Sequence, residues 1–368
     1  MNGQKYWIWL SAAIGQGART DEILAAYPDP AVIYEDDRRR RLLSGVFTKA
    51  KLDKLESVKL SDAENALEVC RKNGWKVYTP ADEGYPSQLK KLVNMPLVLF
   101  VNGDISCLEG RLVVSIVGTR NPTYESTKIA RKLAGDMAQS GVTVVSGGAL
   151  GIDSTAHEGA MASGGQTVCV LGCGLGANYL STNEVMRREI AKNGAVITEY
   201  PPLQGASRST FPIRNRIISG VSHGVLVVEA GEKSGSLITA SCAAEQGKDV
   251  FAVPGSILST AYTGANKLIR DGAGAVTCAD DIIRPLSAIY DFKPVQAPAE
   301  AKEKPRSVPS SLKGDALTVY KALGKEPLHP DEICAVCGLS PQKVMTALME
   351  LELSGYAEQA EGRNYILT

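Results

Sequence analysis

An excess of one charge, long apolar segments and a secretion signal are all missing from the sequence, and each absence excludes a class of protein. The 368 residues carry 40 basic and 40 acidic side chains, so there is no general positive field and any nucleic-acid site must be a local patch. The longest apolar stretches, such as 167–171 and 225–228, are far shorter than the ~20 residues of a membrane-spanning helix. The first residues lack the apolar core and the cleavage site of a signal peptide. We therefore expect a cytoplasmic protein without a membrane partner.

The usual catalytic sets and cofactor motifs are missing as well. No Gly-x4-Gly-Lys-Ser/Thr sequence occurs, which argues against ATP hydrolysis of the P-loop type. There are only three histidines, and none lies in a sequence pattern typical of a Ser-His-Asp catalytic triad or of a metal-ligand cluster. We expect His157 to be structural, with a hydrogen bond to a neighbouring loop. Glu229 ends a predicted strand and has two interpretations, a catalytic carboxylate or the partner of an arginine. We therefore expect no enzyme, no cofactor and no metal.

The eight cysteines are spread along the chain, several of them in predicted strands or helices. This distribution is typical of reduced, buried thiols in a cytosolic protein and not of a disulfide framework. Cys334 and Cys337 have the spacing of a redox or zinc pair, but no second pair accompanies them. We favour a packing role for both over a redox or metal role.

Four regions can be distinguished along the chain. Residues 1–68 have a helical pattern, and residues 69–290 alternate short β-rich runs with helical patterns. Residues 291–311 are rich in Pro, Ala, Lys and Glu, which is typical of a linker. Residues 312–368 form a last small domain.

The region 69–290 predicts the fold. Apolar strands alternate in it with helices, which indicates an α/β, doubly wound, mostly parallel sheet covered on both faces. The strands are expected at 112–117, 143–146, 167–171, 195–198, 224–228 and 249–253. Such sheets bind their ligands outside the carboxyl ends of the strands.

Glycine-rich loops follow four of these strands. They are Gly118-Thr119-Arg120, Ser146-Gly147-Gly148-Ala149-Leu150-Gly151, Gly172-Cys173-Gly174 and Ser234-Gly235-Ser236. Glycine lets backbone N–H groups approach an anion, although tight strand-to-helix turns also require it. With Arg120 and Arg208 nearby, we favour a phosphate site. Gly172–Ala177 also fits a loose G-x-G-x-x-A dinucleotide fingerprint, but the next helix is predicted to begin late, near Ser181.

The segment 207–216 gathers three arginines around an aromatic residue. Cations for the backbone and a ring for a base are the pattern expected for single-strand binding. Arg214 and Arg216 have a second interpretation, since they could brace the fold by pairing with carboxylates such as Glu229. We expect that for at least one of the two, whereas Arg208 and Phe211 precede the predicted helix and are more available.

These motifs, taken together and in order, resemble the DNA-processing protein A family (DprA, also called Smf). The matching runs are Val117-Gly118-Thr119-Arg120, 146–153 with Ala156-His157, 211–218, Glu229-Ala230, 234–240, Gln246-Gly247 and 250–256. The upstream Tyr85-Pro86, Pro96-Leu97 and Gly103 match the strands that extend the family's Rossmann sheet. The chain departs from the family at Leu180, where members often have proline.

The resemblance implies an extended Rossmann-like domain between a helical domain, SAM-like or helix-hairpin-helix-like, and a further domain. It also implies a protein that binds single-stranded DNA, forms a homodimer through the Rossmann domain and loads the RecA recombinase during natural transformation, with no known enzyme activity. The DNA-binding residues expected from the loops and the resemblance together are Gly118, Thr119, Arg120, Ser146, Gly147, Gly148, Arg208, Phe211, Arg214, Asn215, Ser234 and Gly235.

The two terminal domains carry weaker signals. The C-terminal pattern, two helices around Gly338 followed by a hairpin around 361–363, predicts a winged helix. It holds five basic against eight acidic residues from Leu312 onward, a balance of minus three that argues against strong phosphate binding, and we expect a protein-contact role. The run Arg38-Arg39-Arg40-Arg41 could touch DNA, but we favour a solvated helix face.

Two alternatives remain at this point. A Rossmann-type nucleotide or phosphoribosyl hydrolase of the lysine-decarboxylase-like family would carry a Pro-Gly-Gly-x-Gly-Thr loop followed by a Glu, where this chain has Ser234-Gly235-Ser236-Leu237. A nucleotide-binding regulator would depend on the loose fingerprint at Gly172–Ala177.

Overall fold

The computed structural model describes residues 3–295, 312–324, 327–359 and 364–367. The chain divides into two compact units, Met1–Ala297 and Pro298–Thr368. Most of the predicted linker, residues 296–311, lies outside the described residues. Within the described residues, no helix combines the length and the apolar character that a bilayer crossing requires.

The first unit begins with short helices, as the helical pattern predicts. They are α1 (Gln4–Ile14), α2 (Asp21–Ala26), α3 (Pro30–Glu35), α4 (Arg38–Leu43), α5 (Lys49–Ser57) and α6 (Leu60–Lys72). The side chains of Asp29, Asp37 and Thr48 cap α3, α4 and α5 by accepting backbone N–H groups of the first turn. Their apolar core around Trp9 also contains Phe100 of the sheet, so these helices and the sheet share one compact unit.

A nine-stranded sheet forms the centre of this unit. Its strands are β1 (Lys76–Tyr78), β2 (Leu99–Gly103), β3 (Val113–Val117), β4 (Thr143–Ser146), β5 (Thr167–Val170), β6 (Ala195–Thr198), β7 (Gly224–Val227), β8 (Asp249–Ala252) and β9 (Gly274–Ala275). Their order is β1-β2-β6-β5-β4-β3-β7-β8-β9. The pairs β1–β2 and β2–β6 are antiparallel and the others are parallel. The predicted doubly wound, mostly parallel sheet is therefore confirmed.

Helices cover both faces of the sheet. They are α7 (Tyr124–Gln139), α8 (Ile152–Ala162), α9 (Glu184–Lys192), α10 (Thr210–Gly220), α11 (Ser236–Glu245), α12 (Thr263–Arg270) and α13 (Asp280–Tyr290). The residues of β3 alternate between two cores, with Val113 and Val117 in one and Val114 and Ile116 in the other. Burial on both faces explains why the parallel strands are continuous apolar runs.

The second unit contains α14 (Gly314–Ala322), α15 (Pro330–Cys337), α16 (Pro341–Leu353), β10 (Ala357–Gln359) and β11 (Tyr365–Leu367). A capping box between His329 and Glu332 starts α15, and Gly338 ends it in the left-handed conformation. The antiparallel β10–β11 pair supplies the two strands of a wing. The predicted wing tip, 361–363, lies outside the described residues.

Candidate functional site

The strand order places one crevice at the carboxyl ends of β3 and β7. From β3 the chain winds outward through β4 and β5 on one side and through β7 and β8 on the other. A doubly wound sheet binds its ligands at such a switch point, because the two following loops diverge there. A cavity of about 460 Å³ opens at this position, and we call it the cleft.

Nine of the twelve predicted DNA-binding residues line the cleft. They are Gly118, Thr119, Arg120, Arg208, Phe211, Arg214, Asn215, Ser234 and Gly235. They come from the loop after β3, the start of α10 and the loop after β7, which are separated in sequence by up to 117 residues, from 118 to 235. Folding therefore brings together two of the four glycine-rich loops and the arginine-containing segment 207–216 that the sequence singled out.

Two cations flank the ring of Phe211, and a third lies at the rim. The guanidinium carbon of Arg120 is 5.4 Å from the ring centroid, and that of Arg214 is 5.9 Å away. Arg120 and Arg208 are exposed, and neither has a hydrogen-bond or ion-pair partner within the described part of the chain. Both charges are therefore available to a ligand.

Arg214 is buried at the floor of the cleft. Its Nη1 donates to the carbonyl oxygen of Gly147 at 2.6 Å and to that of Val170, and its Nε donates to Asn215 Oδ1 at 3.2 Å. Burial lowers the pKa of Arg214, and the nearby Asp153 carboxylate opposes the fall. Arg214 thus braces the fold and also adds positive charge behind Phe211.

Ser146, Gly147 and Gly148 do not line the cleft. All three are buried, and the Ser146 hydroxyl donates to the carbonyl oxygen of Ile116 at 2.6 Å. The carboxylate of Asp153, in the first turn of α8, lies against this loop and accepts the N–H of Ala149 at 3.3 Å. The chain's own carboxylate therefore occupies the position where we expected a phosphate. Burial raises the pKa of Asp153, and Arg214 opposes the rise.

The loop after β3 is held by its neighbours. The N–H of Thr119 donates to the carbonyl oxygen of Glu229 at 2.8 Å, and the Thr119 carbonyl accepts the N–H of Ile152 at 3.2 Å. Gly151, with φ of +84°, lies so close to the backbone of Arg120 that a Cβ would be 2.7 Å from its carbonyl oxygen. These contacts fix the backbone from which Arg120 extends.

The candidate catalytic side chains have structural partners. The Glu229 carboxylate accepts the N–H of Thr123 at 2.9 Å and its hydroxyl at 2.8 Å. Arg216 pairs with buried Glu199 and not with Glu229, so the predicted bracing role holds with a different carboxylate. Burial raises the pKa of Glu199, and the arginine opposes the rise.

His157 is fully buried, and its Nδ1 lies 2.7 Å from Thr167 Oγ1, at the start of β5. Burial lowers its pKa to about 3, so the ring is neutral at physiological pH. The predicted structural role of His157 is thus consistent with its contacts.

Two glycine N–H groups of the loop after β5 are engaged within the chain. Gly174 donates to the carbonyl oxygen of Gln204 at 2.8 Å, and Gly176 donates to that of Pro202 at 2.8 Å. These donors face a neighbouring segment of the chain, which leaves them unavailable to a pyrophosphate, and α9 begins only at Glu184. The contacts do not favour the dinucleotide interpretation of Gly172–Ala177.

The run of four arginines on α4 is largely engaged within the domain. Arg38 pairs with Asp53 and Glu56, each at 2.6 Å, and Arg40 pairs with Asp36 at 3.5 Å. Buried Arg41 donates to the carbonyl oxygens of residues 33 and 34. Arg39 is exposed. The run therefore contributes little free positive charge.

Tyr179 is a site residue that the sequence did not reveal. Its ring packs against that of Phe211 with centroids 5.4 Å apart. Burial raises its pKa, and both Arg120 and Arg214 oppose the rise, which places its hydroxyl in the field of the cleft arginines. Residues so far apart along the chain give no local signal of this contact.

Comparison with known proteins is consistent with this architecture. A family model of DNA recombination-mediator protein A matches residues 76–287, and a DprA winged helix domain model matches residues 302–363. The chain belongs to the DNA recombination-mediator protein A family. Its C-terminal domain is accordingly a winged helix, as the helix and wing pattern predicts.

Members of the DNA recombination-mediator protein A family resemble the chain over most of its length. The putative DNA processing protein DprA of Mycobacterium tuberculosis is 36% identical over 318 residues, which cover 83% of this chain and 80% of that protein. The X-ray structure of DprA from Streptococcus pneumoniae is 30% identical and superposes with a TM-score of 0.66, covering 76% of this chain and 97% of that one. A structure of Helicobacter pylori DprA, described in terms of its single-stranded DNA binding mode, is 31% identical with a TM-score of 0.53, covering 59% and 97%.

Proposed function

We propose that this chain binds single-stranded DNA in the cleft and delivers the strand to the RecA recombinase during natural transformation. The observation that carries the proposal is the pair of exposed arginines without ion-pair partners in the described chain, Arg120 and Arg208, which line the cleft together with the half-buried ring of Phe211. Arginines neutralise phosphates, and an aromatic ring stacks on a base of any sequence. The arrangement is therefore suited to a strand whose bases are not already paired.

The size of the cleft supports a single strand over a duplex. A volume of about 460 Å³ lies within the range of small-ligand pockets, about 300–1,000 Å³, and is suited to one nucleotide. A base inside a duplex is stacked on both sides and cannot contact Phe211 without leaving the helix. The single-stranded DNA binding mode described for the H. pylori relative agrees with this assignment.

We further propose that the chain is not an enzyme. A nucleotide or phosphoribosyl hydrolase would need a free carboxylate or a free histidine at the cleft. Of the candidates, Asp153 accepts the N–H of Ala149, Glu229 is held by Thr123, and His157 is buried against Thr167. No contact in the described chain favours the hydrolase, and no cofactor is required for strand binding.

Delivery to RecA and a homodimer through the Rossmann domain are the finer parts of the proposal. They are supported by membership of a recombination-mediator family. We assign the winged helix to protein contact, because α16 presents exposed apolar side chains and not a basic face. These side chains are Met345, Met349 and Leu353. Deleting residues 312–368 should then leave the affinity for single-stranded DNA unchanged.

The decisive experiment compares fluorescent oligothymidine with a duplex of the same length. We expect strong preference for the single strand, which R120A/R208A loses. The matched control is R111A, because Arg111 is exposed and lies just before β3, at the opposite edge of the sheet. Equal affinity for duplex, or equal losses in R120A/R208A and R111A, would remove the DNA site from the cleft.

A further inference from the structure

A second cavity, of about 530 Å³, lies beside the cleft, and we call it the side cavity. Its walls come from the turn before β1, from β2, from the loop after β5 and from α9. Trp75 contributes a half-buried indole, and Arg187 of α9 contributes a guanidinium. None of the residues that line it belongs to the DNA site predicted from the sequence.

Polar groups without partners converge on the side cavity. Arg187 donates from Nη2 to the carbonyl oxygen of Tyr179 at 2.9 Å, but its buried Nη1 has no hydrogen-bond partner. The indole N–H of Trp75 and the side-chain amides of Asn102 and Asn178 also have no partner in the described part of the chain. Buried polar groups in native proteins are almost always satisfied, so the buried Nη1 of Arg187 calls for a partner from outside the chain. The indole and the two amides are partly or fully exposed at the same cavity, where a ligand can reach them.

The chemistry of these groups is that of nucleotide recognition. An indole face stacks on a base, amide side chains hydrogen-bond to base edges, and a guanidinium pairs with a phosphate. Arg187 has no carboxylate partner, in contrast to Arg188 beside it, which pairs with Glu184. A negatively charged, aromatic ligand therefore fits the side cavity better than a neutral one.

The side cavity adjoins the cleft at one pair of rings. Tyr179 lines the side cavity and packs against Phe211, which lines the cleft, with their centroids 5.4 Å apart. The Tyr179 carbonyl is held by the hydrogen bond from Arg187, and the next residue, Leu180, has φ of +45°. A strand that leaves the cleft can thus cross this pair of rings and enter the side cavity.

We propose that the side cavity binds a further nucleotide of the same single strand, with its base on Trp75 and its phosphate on Arg187. This proposal rests on single-stranded DNA binding in the cleft. It adds a second aromatic contact point and makes affinity depend on strand length, because a very short oligonucleotide occupies the cleft alone.

Tryptophan fluorescence provides a direct test in the unmodified chain. Trp7 and Trp9 are buried in the N-terminal core, whereas Trp75 lines the side cavity, so Trp75 is the tryptophan expected to respond to a strand bound there. Oligothymidine long enough to cross between the cavities should quench the emission, whereas a dinucleotide should bind without quenching. In W75F the quenching should be absent. Binding of long oligothymidine without any quenching in the unmodified protein would overturn the proposal.

Affinity measurements separate this proposal from the one for the cleft. W75L and R187Q should each weaken binding of the long oligonucleotide roughly five- to hundredfold and leave the dinucleotide unaffected. The matched control is K192Q, because Lys192 lies on the same helix, is exposed and does not line the side cavity. Unchanged affinity in W75L and R187Q, with R120A/R208A defective, would overturn the side cavity alone. Failure of every oligonucleotide to bind would overturn both proposals.

Discussion

Removing the two exposed arginines of the cleft should make DNA binding less sensitive to salt, by an amount that follows from their number. Arg120 and Arg208 have no hydrogen-bond or ion-pair partner in the described chain, so each is free to neutralise one phosphate. For single strands the logarithm of affinity falls by about 0.7 per neutralised phosphate for each tenfold rise in salt. R120A/R208A should therefore have a slope shallower by about 1.4. Between about 50 and 200 mM salt, the fold-loss of affinity of this variant should be about seven times smaller than that of the unmodified protein.

Arg214 is left out of this count for a structural reason. It is buried, and its Nη1 already donates to two backbone carbonyls, so it has little freedom to meet a phosphate. If it did neutralise a third phosphate, the slope of the double variant would still differ from the unmodified protein by about 1.4, because Arg214 is present in both.

The assay is fluorescence anisotropy of labelled oligothymidine over a series of salt concentrations. R111A, with a substitution at the opposite edge of the sheet, should reproduce the unmodified slope. A double variant with lower affinity but an unchanged slope would refute the reasoning, because the arginines would then act on the fold and not on phosphates.

Three further predictions follow from buried contacts. E199Q leaves a buried arginine without its counter-charge, so urea denaturation should show a loss of about 3–5 kcal/mol in the free energy of unfolding. Because the pKa of His157 is lowered to about 3, its contribution to the free energy of unfolding is complete above about pH 6.5 and decreases as pH falls. At about pH 5.5 that contribution should be smaller by about 1.4 kcal/mol. Denaturation at several pH values should show this decrease in the unmodified protein and not in H157Q. G147A places a methyl group 2.6 Å from Arg214 Nη1, so it should weaken both stability and DNA binding, whereas G205A, with open space around it, should change neither.

Much of the sheet and of the cleft could be predicted because the signals are local. Buried parallel strands are apolar runs, and the loops that follow them carry glycine, so their carboxyl ends can be placed at one edge without knowing the strand order. Strands β1, β2 and β9 were not located by the same pattern. β1 and β9 are only three and two residues long; β1 is partly exposed, and both residues of β9 are exposed.

The contacts that could not be predicted join segments distant in sequence. Glu199 pairs with Arg216, although Glu229 is the carboxylate that ends a strand near the site. The Asp153 side chain turns toward the loop after β4, so that loop serves a carboxylate of the chain itself. The pattern of glycines cannot distinguish a loop that receives an internal anion from one that receives an external phosphate, because both use the same backbone geometry.

The same reasoning explains how a chain with no net charge can present a DNA site. The run of arginines on α4 has the highest density of positive charge in the sequence, yet Arg38, Arg40 and Arg41 are engaged by carboxylates or backbone carbonyls. Arg120 and Arg208 are isolated in sequence, but the fold leaves them unpartnered at one crevice. At physiological ionic strength a charge acts over about 8 Å, so the field at the cleft is set by these neighbours and not by the total of 40 acidic residues. The number of unpaired cations at the strand ends, which only the folded chain determines, is therefore the quantity on which affinity for DNA depends.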